Sequence, residues 1–200
     1  MIKKVYLIVI GITLVWLSSL AQVKVGEWRD HLNYNYCHTV AKTGDFVYTS
    51  NGNGLLKYNT QDGSLETISK INGLSDIGIK LLRYNPYNNT LLIVYSNANI
   101  DVLKNNEFVN FSDIKRKTIT GNKNINEVTF KNNIAYLACG FGIVVFDTEK
   151  IEIKDTYYIG PGGSYLNVYQ VETTDSTIIA ATSSGLYRAN TSTILNNFQN

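Results

Sequence analysis

Ile134-Ala135-Tyr136-Leu137-Ala138-Cys139-Gly140-Phe141-Gly142-Ile143-Val144-Val145-Phe146 is the stretch on which the fold turns. An apolar run closes on Cys139, a Gly-Phe-Gly corner follows, and a second apolar run leaves from Gly142. Two β-rich runs so close together read as a hairpin. The same arrangement surrounds three more short turn residues. Gly54 lies between the runs 46–49 and 55–58, Asn99 between 91–95 and 100–103, and Gly185 between 178–181 and 186–189. The steps from Gly54 to Asn99, Gly142 and Gly185 are 45, 43 and 43 residues. A period in the low forties with about four short strands per unit marks β-propeller blades.

The remaining strands fall into place around these pairs. An inner strand precedes each one, at 37–41, 79–84, 125–130 and 166–171, and an outer strand follows at 65–68, 108–111 and 152–158. Thr43-Gly44-Asp45, Asn88-Asn89, Asn132-Asn133 and Asp175-Ser176 sit where tight hairpins need residues that tolerate positive φ. The expected fold is all-β, with blades of four antiparallel strands at about 33–76, 77–120, 121–163 and 164–200, in an incomplete ring of about four blades. A β-sandwich also spaces short strands by turns, but it gives no anchor recurring at nearly constant spacing. The fourth unit stops inside or just after its third strand. Propellers commonly close with more blades than four, so residues 22–200 are expected to be the front portion of a longer propeller. Residues 26–31 are a candidate strand for completing such a ring.

Composition agrees with this class. The chain is 44% hydrophobic and 17% charged, with 14 Tyr, 15 Gly, 24 Asn and only 2 Pro, which supplies β-formers and turn residues rather than helices. Lys3 and Lys4 precede an uncharged apolar run over 5–17, and Ser19-Leu20-Ala21 offers small residues at a cleavage site. Residues 1–21 are therefore expected to be a signal peptide, since the run falls short of the ~20 residues needed to span a bilayer. Without Lys3 and Lys4, the 18 basic residues become 16, against 16 acidic ones. That balance argues against a nucleic-acid partner. Cys37 and Cys139 are expected to be free, buried thiols, and His31 and His38 alone do not suggest a metal site or other cofactor.

Catalytic patterns are missing as well. Glycosidase chemistry needs convergent carboxylates, yet the acidic residues fall mostly in turns and outer strands. Glu127 is the one carboxylate expected on an inner strand, as a solvated channel lining. No nucleophile elbow, P-loop or zinc motif occurs, so an enzyme is not expected. Asp175-Ser176-Thr177 resembles a short bacterial O-glycosylation motif.

Specific residues carry a family resemblance. Thr49-Ser50-Asn51-Gly52-Asn53-Gly54-Leu55 and Ala181-Thr182-Ser183-Ser184-Gly185-Leu186-Tyr187-Arg188 resemble the two-component regulator propeller repeat, as does the loop Asn72-Gly73-Leu74-Ser75-Asp76. Trp28-Arg29-Asp30-His31-Leu32, Ser112-Asp113-Ile114-Lys115-Arg116-Lys117, Cys139-Gly140-Phe141-Gly142-Ile143-Val144-Val145 and Ile153-Lys154-Asp155-Thr156-Tyr157-Tyr158-Ile159-Gly160 resemble the PorZ family of the type IX secretion system of Bacteroidetes. That resemblance implies two propellers followed by a C-terminal domain. It also implies a non-catalytic cell-surface subunit that works with the sortase PorU and with PorV and PorQ. Anionic lipopolysaccharide is the ligand it implies. The alternative is a periplasmic sensor propeller of a hybrid two-component regulator that recognises an oligosaccharide.

Loops between blades, and between second and third strands, gather on one face of a propeller, where binding residues concentrate. The loop 112–124 holds Lys115, Arg116, Lys117 and Lys123, the densest positive charge of the mature chain. These four residues are the candidate site for an acidic glycan or protein patch. Phe141 is the fifth candidate, either as an exposed contact or, the favoured reading, as a plug between blades.

Overall fold

The computed structural model describes residue 28, residues 30–193 and residue 195. The signal-peptide segment and half of 26–31 lie outside the described residues; Trp28, Asp30 and His31 carry no strand. The chain divides into units 1–31 and 32–200, and the second carries the architecture.

Four antiparallel sheets follow one another, each with its strands paired in chain order. The first is β1 (Thr39–Thr43), β2 (Phe46–Ser50), β3 (Leu55–Asn59) and β4 (Leu65–Ile68). The second is β5 (Ile79–Asn85), β6 (Thr90–Tyr95), β7 (Ile100–Lys104) and β8 (Glu107–Phe111). The third is β9 (Ile125–Lys131), β10 (Ile134–Cys139), β11 (Gly142–Asp147) and β12 (Glu152–Tyr157). The fourth has three strands, β13 (Val168–Thr173), β14 (Thr177–Thr182) and β15 (Gly185–Asn190). The sheets stack in an open row, with β1 packed on β5, β5 on β9 and β9 on β13. This is the all-β architecture of propeller blades, in an arc that does not close.

Burial explains why some strands read as unbroken apolar runs. In β6, Leu91, Ile93 and Tyr95 join the core between the first two sheets, while Leu92 and Val94 join the core between the second and third. In β11, Val144 and Phe146 face back and Ile143 and Val145 face forward in the same way. A strand covered on both faces needs apolar side chains at every position. The flanking sheets are covered on one face only. In β14, Ile178 and Ala180 are buried while Ala181 is exposed.

The inner strands break the two-residue rhythm. Ile79 and Leu82, Ile125 and Val128, and Val168 and Val171 are buried at a spacing of three. A register shift lies between Ile79 and Leu81, at the Ile125 end of β9, and between Val168 and Gln170. A β-bulge adds one residue without a partner, so burial returns one position late. The bounds of two inner strands also differ from the expectation. The first begins at Thr39 rather than at Cys37, and the fourth runs Val168–Thr173 rather than 166–171.

The two thiols are free, and they differ in setting. Cys139 is fully buried, and burial pushes its thiol up to about 12. Cys37 is exposed, contrary to the buried position expected for it, because it precedes β1 instead of lying within it.

Candidate docking face

The turns between second and third strands are built by the residues that mark the repeat. Ser50 Oγ donates to the Gly54 carbonyl at 2.9 Å and accepts from the Gly52 N–H at 2.9 Å. Thr182 repeats the device, donating to the Gly185 carbonyl at 2.8 Å and accepting from the Ser184 N–H at 3.1 Å. A hydroxyl at the end of the second strand thus closes its turn locally. Four of these turns, with the loops between sheets, lie at one end of the row.

The basic stretch lies at that end, and part of it is a helix. Helix α1 (Asp113–Arg116) replaces the expected irregular loop at these positions. Ile114 explains this: it is 1% exposed and joins the core between the second and third sheets, pinning one turn. Asp113 in the first turn and Lys115 and Arg116 in the last complement the helix dipole.

The charges do not stand alone. Lys115 Nζ donates to Asp76 Oδ2 at 2.7 Å, tying α1 to the loop between the first and second sheets. Asp76 also accepts from Asn97 at 2.7 Å and from the Ile77 N–H at 3.0 Å. Burial pushes the Asp76 carboxyl up, but these donors and the lysine charge outweigh it and hold the group at about 2. Arg116 pairs with Asp113 at 2.6 Å, with both groups well exposed. Lys123 Nζ donates to the Lys115 carbonyl at 2.8 Å, which ties the stretch together but leaves its charge. Lys117 has no side-chain partner among the described residues. The expected four-charge cluster therefore presents two uncompensated charges, on Lys117 and Lys123.

Phe141 is buried, at 2% exposure, as the plug between sheets. Its ring centre lies 6.4 Å from Tyr158 and 6.3 Å from Tyr165, and those two rings are 5.4 Å apart. Tyr165 is 44% exposed and is the aromatic contact this cluster offers to solvent. The sequence reading passed over Tyr165 and Asp76, although both lie in or beside the loops it assigned to this face. The signal for Tyr165 was a third aromatic close to Phe141 and Tyr158 in those loops; for Asp76 it was the only acid in its loop.

Beneath the face lies a buried carboxylate. Asp101 on β7 is 0% exposed, yet it accepts from the Tyr95 hydroxyl at 2.5 Å, from Asn110 at 2.8 Å and from the Ser75 N–H at 2.8 Å. These bonds anchor the loop that presents Asp76. Burial and then the Asp101 bond push the Tyr95 phenol far up, so it remains a donor.

The inner strands carry a second set of charges. Glu127 is not an isolated solvated group as expected: Arg83 Nε and Nη2 donate to its two oxygens at 2.6 and 2.7 Å. Burial raises the Glu127 carboxyl, and the guanidinium more than offsets this and lowers it. Glu172, which β13 includes, is a second inner-strand carboxylate.

Stacked antiparallel sheets with their connecting loops gathered at one end define the blades of a β-propeller. The chain belongs to the family of PorZ N-terminal β-propeller domains of the type IX secretion system, whose profile matches residues 47–200. Its structure is similar to that of PorZ from Porphyromonas gingivalis, described as an essential bacterial surface component of that system. The TM-score is 0.77 at 23% identity, over 86% of this chain and 23% of that one. This chain thus spans about a quarter of that protein's length. The extracellular domain of the hybrid two-component system BT4673 from B. thetaiotaomicron is also similar, with a TM-score of 0.61 at 17% identity over 86% of this chain and 24% of that one. Apo AztD from Citrobacter koseri shares the fold at a TM-score of 0.57 and 13% identity, over 78% of this chain and 44% of that one. No curated protein matches the chain in sequence.

Proposed function

We propose that this chain is the N-terminal propeller portion of a non-catalytic, cell-surface subunit of a type IX secretion attachment complex. In this reading it follows a cleaved signal peptide and supports sortase-mediated anchoring of secreted cargo. Its partners are of the PorU, PorV and PorQ type, and its ligand is an anionic lipopolysaccharide. The match of residues 47–200 to the PorZ family carries the reading. The exposed Tyr165, with Lys117 and Lys123 at the same end of the blades, supports a contact surface there for a protein or an acidic glycan.

Lys115, Arg116, Lys117 and Lys123 form the basic part of that surface, and Phe141 holds its aromatic part in place. Exposed charges are individually weak and screened by salt. Binding to an anionic glycan should therefore be modest and should fade as salt rises. Replacing Lys115, Arg116 and Lys117 by Ala in the complete protein tests this, by lipopolysaccharide binding and by assembly with the sortase complex. Losses in either with the fold intact support the reading, and no change in both refutes the basic surface.

The similarity to a two-component extracellular domain favours one competing reading, an oligosaccharide sensor. A membrane helix and kinase encoded downstream would support the sensor. A second propeller with a small β-domain would support the secretion subunit.

A further inference from the structure

Side chains at or just before the start of the inner strands reach across the sheets in a repeating way. His38 Nε2 lies 3.1 Å from the Ile79 carbonyl, Lys80 Nζ donates to the Ile125 carbonyl at 2.8 Å, and Asn126 Nδ2 donates to the Val168 carbonyl at 2.8 Å. Each bond ties one inner strand to the start of the next. A neutral amide does this work between the third and fourth sheets, so the bond alone does not require the charge that Lys80 brings between the second and third. That charge stands beside Arg83, and the two cations share the single carboxylate of Glu127. One positive charge is left over.

Lys80 and Arg83 also border a cleft of about 450 Å³ between the first two inner strands, whose other lining residues include Cys37, His38, Thr39 and Thr49. Donors remain for a ligand. Lys80 spends two of its three N–H groups on the Ile125 carbonyl and Asn126 Oδ1, at 2.8 and 3.3 Å. Arg83 spends three of five, two on Glu127 and one on the Leu82 carbonyl. A cleft wall that is half polar and carries spare cationic donors suits terminal oxygens with negative charge. We propose that this cleft binds a small oxyanion, a phosphate or carboxylate group, through Lys80 and Arg83. The site lies on the inner strands and is separate from the docking face.

Cys37 provides the readout, because it lines the cleft and is exposed, while Cys139 is buried and serves as an internal reference. The rate of Cys37 alkylation by iodoacetate is measured on the full chain, with inorganic phosphate in one series and acetate in another. Chloride keeps ionic strength constant throughout. Saturable slowing of at least fivefold by either anion is expected, and the series that saturates at lower concentration identifies the preferred group. Lys80→Gln keeps an amide donor but removes the charge. It should raise the protecting concentration at least tenfold, whereas Lys104→Gln, on β7, should leave it unchanged. Absence of saturable protection by both anions in the unaltered chain would overturn the proposal, whatever the variants do. Equal protection in Lys80→Gln, or equal loss in Lys104→Gln, would overturn it as well.

Discussion

Phe141 sits in a corner that admits only its own neighbours. A Cβ on Gly140 would lie 2.4 Å from the Asn122 carbonyl oxygen, and one on Gly142, at φ +145°, would lie 2.3 Å from that of Tyr157. Both flanking residues are glycine because two backbones pass against them, and the aromatic between them is pressed into the core. Truncation should leave a cavity and cost about 3–5 kcal/mol. Phe141→Ala is therefore expected to lower the urea midpoint strongly and to loosen Tyr165, checked by denaturation followed through tyrosine fluorescence. Asp76 offers a test in pH. Its folded carboxyl is held at about 2, below its ordinary 3.8. The contribution of this group is thus full above about pH 4 and is lost as pH falls through 2. Asp76→Asn should lower the melting temperature at pH 7, where that contribution is full, and flatten the fall between pH 4 and 2, so that the two proteins converge at low pH. The Phe141 plug and the free thiols were legible in residue order alone. The pairing of Lys115 with Asp76 was not, because 39 positions separate them and only the blade geometry brings them together.

At the scale of elements, the second and third strands were the most legible and the inner strands the least. Strands β6, β10 and β11 are apolar at nearly every position because sheets cover both faces, and such runs show plainly in a sequence. Inner strands pack on one side, and their bulges convert a spacing of two into three, which blurs the period used to bound them. Helix α1 was hidden for another reason. One turn is too short to show a helical period, and a single buried residue, Ile114, fixes it. The links between inner strands carry their own prediction. Asn126 donates to the Val168 carbonyl and to Asn167 Oδ1, at 2.8 and 3.0 Å, and Val168 is fully buried. Asn126→Ala orphans that carbonyl and should cost about 1–3 kcal/mol. Hydrogen exchange should show the loss concentrated in β13, with β2 and β3 protected as before. A uniform loss across all four sheets would contradict a local link.

For the whole molecule, four sheets in an open arc leave two ends with different chemistry. Hairpins between first and second strands, and between third and fourth, lie at one end, with Asn105 and Asn106 at the tip of β7 and β8. Loops between sheets lie at the other, with α1, Lys117, Lys123 and Tyr165. Family membership and blade order were readable because the repeat is local in sequence, recurring every 43 to 45 residues. The contact surface was less so, since it gathers residues from several repeats. Docking in an attachment complex is the use proposed for this surface. Site-specific photo-crosslinking in cells tests it most directly, with a photoreactive residue at position 165 of the complete protein and, in a second strain, at position 106. Crosslinks to attachment-complex subunits are expected from 165 and none from 106. Crosslinks from 106 alone, or from neither position while the protein is folded and exported, would contradict it.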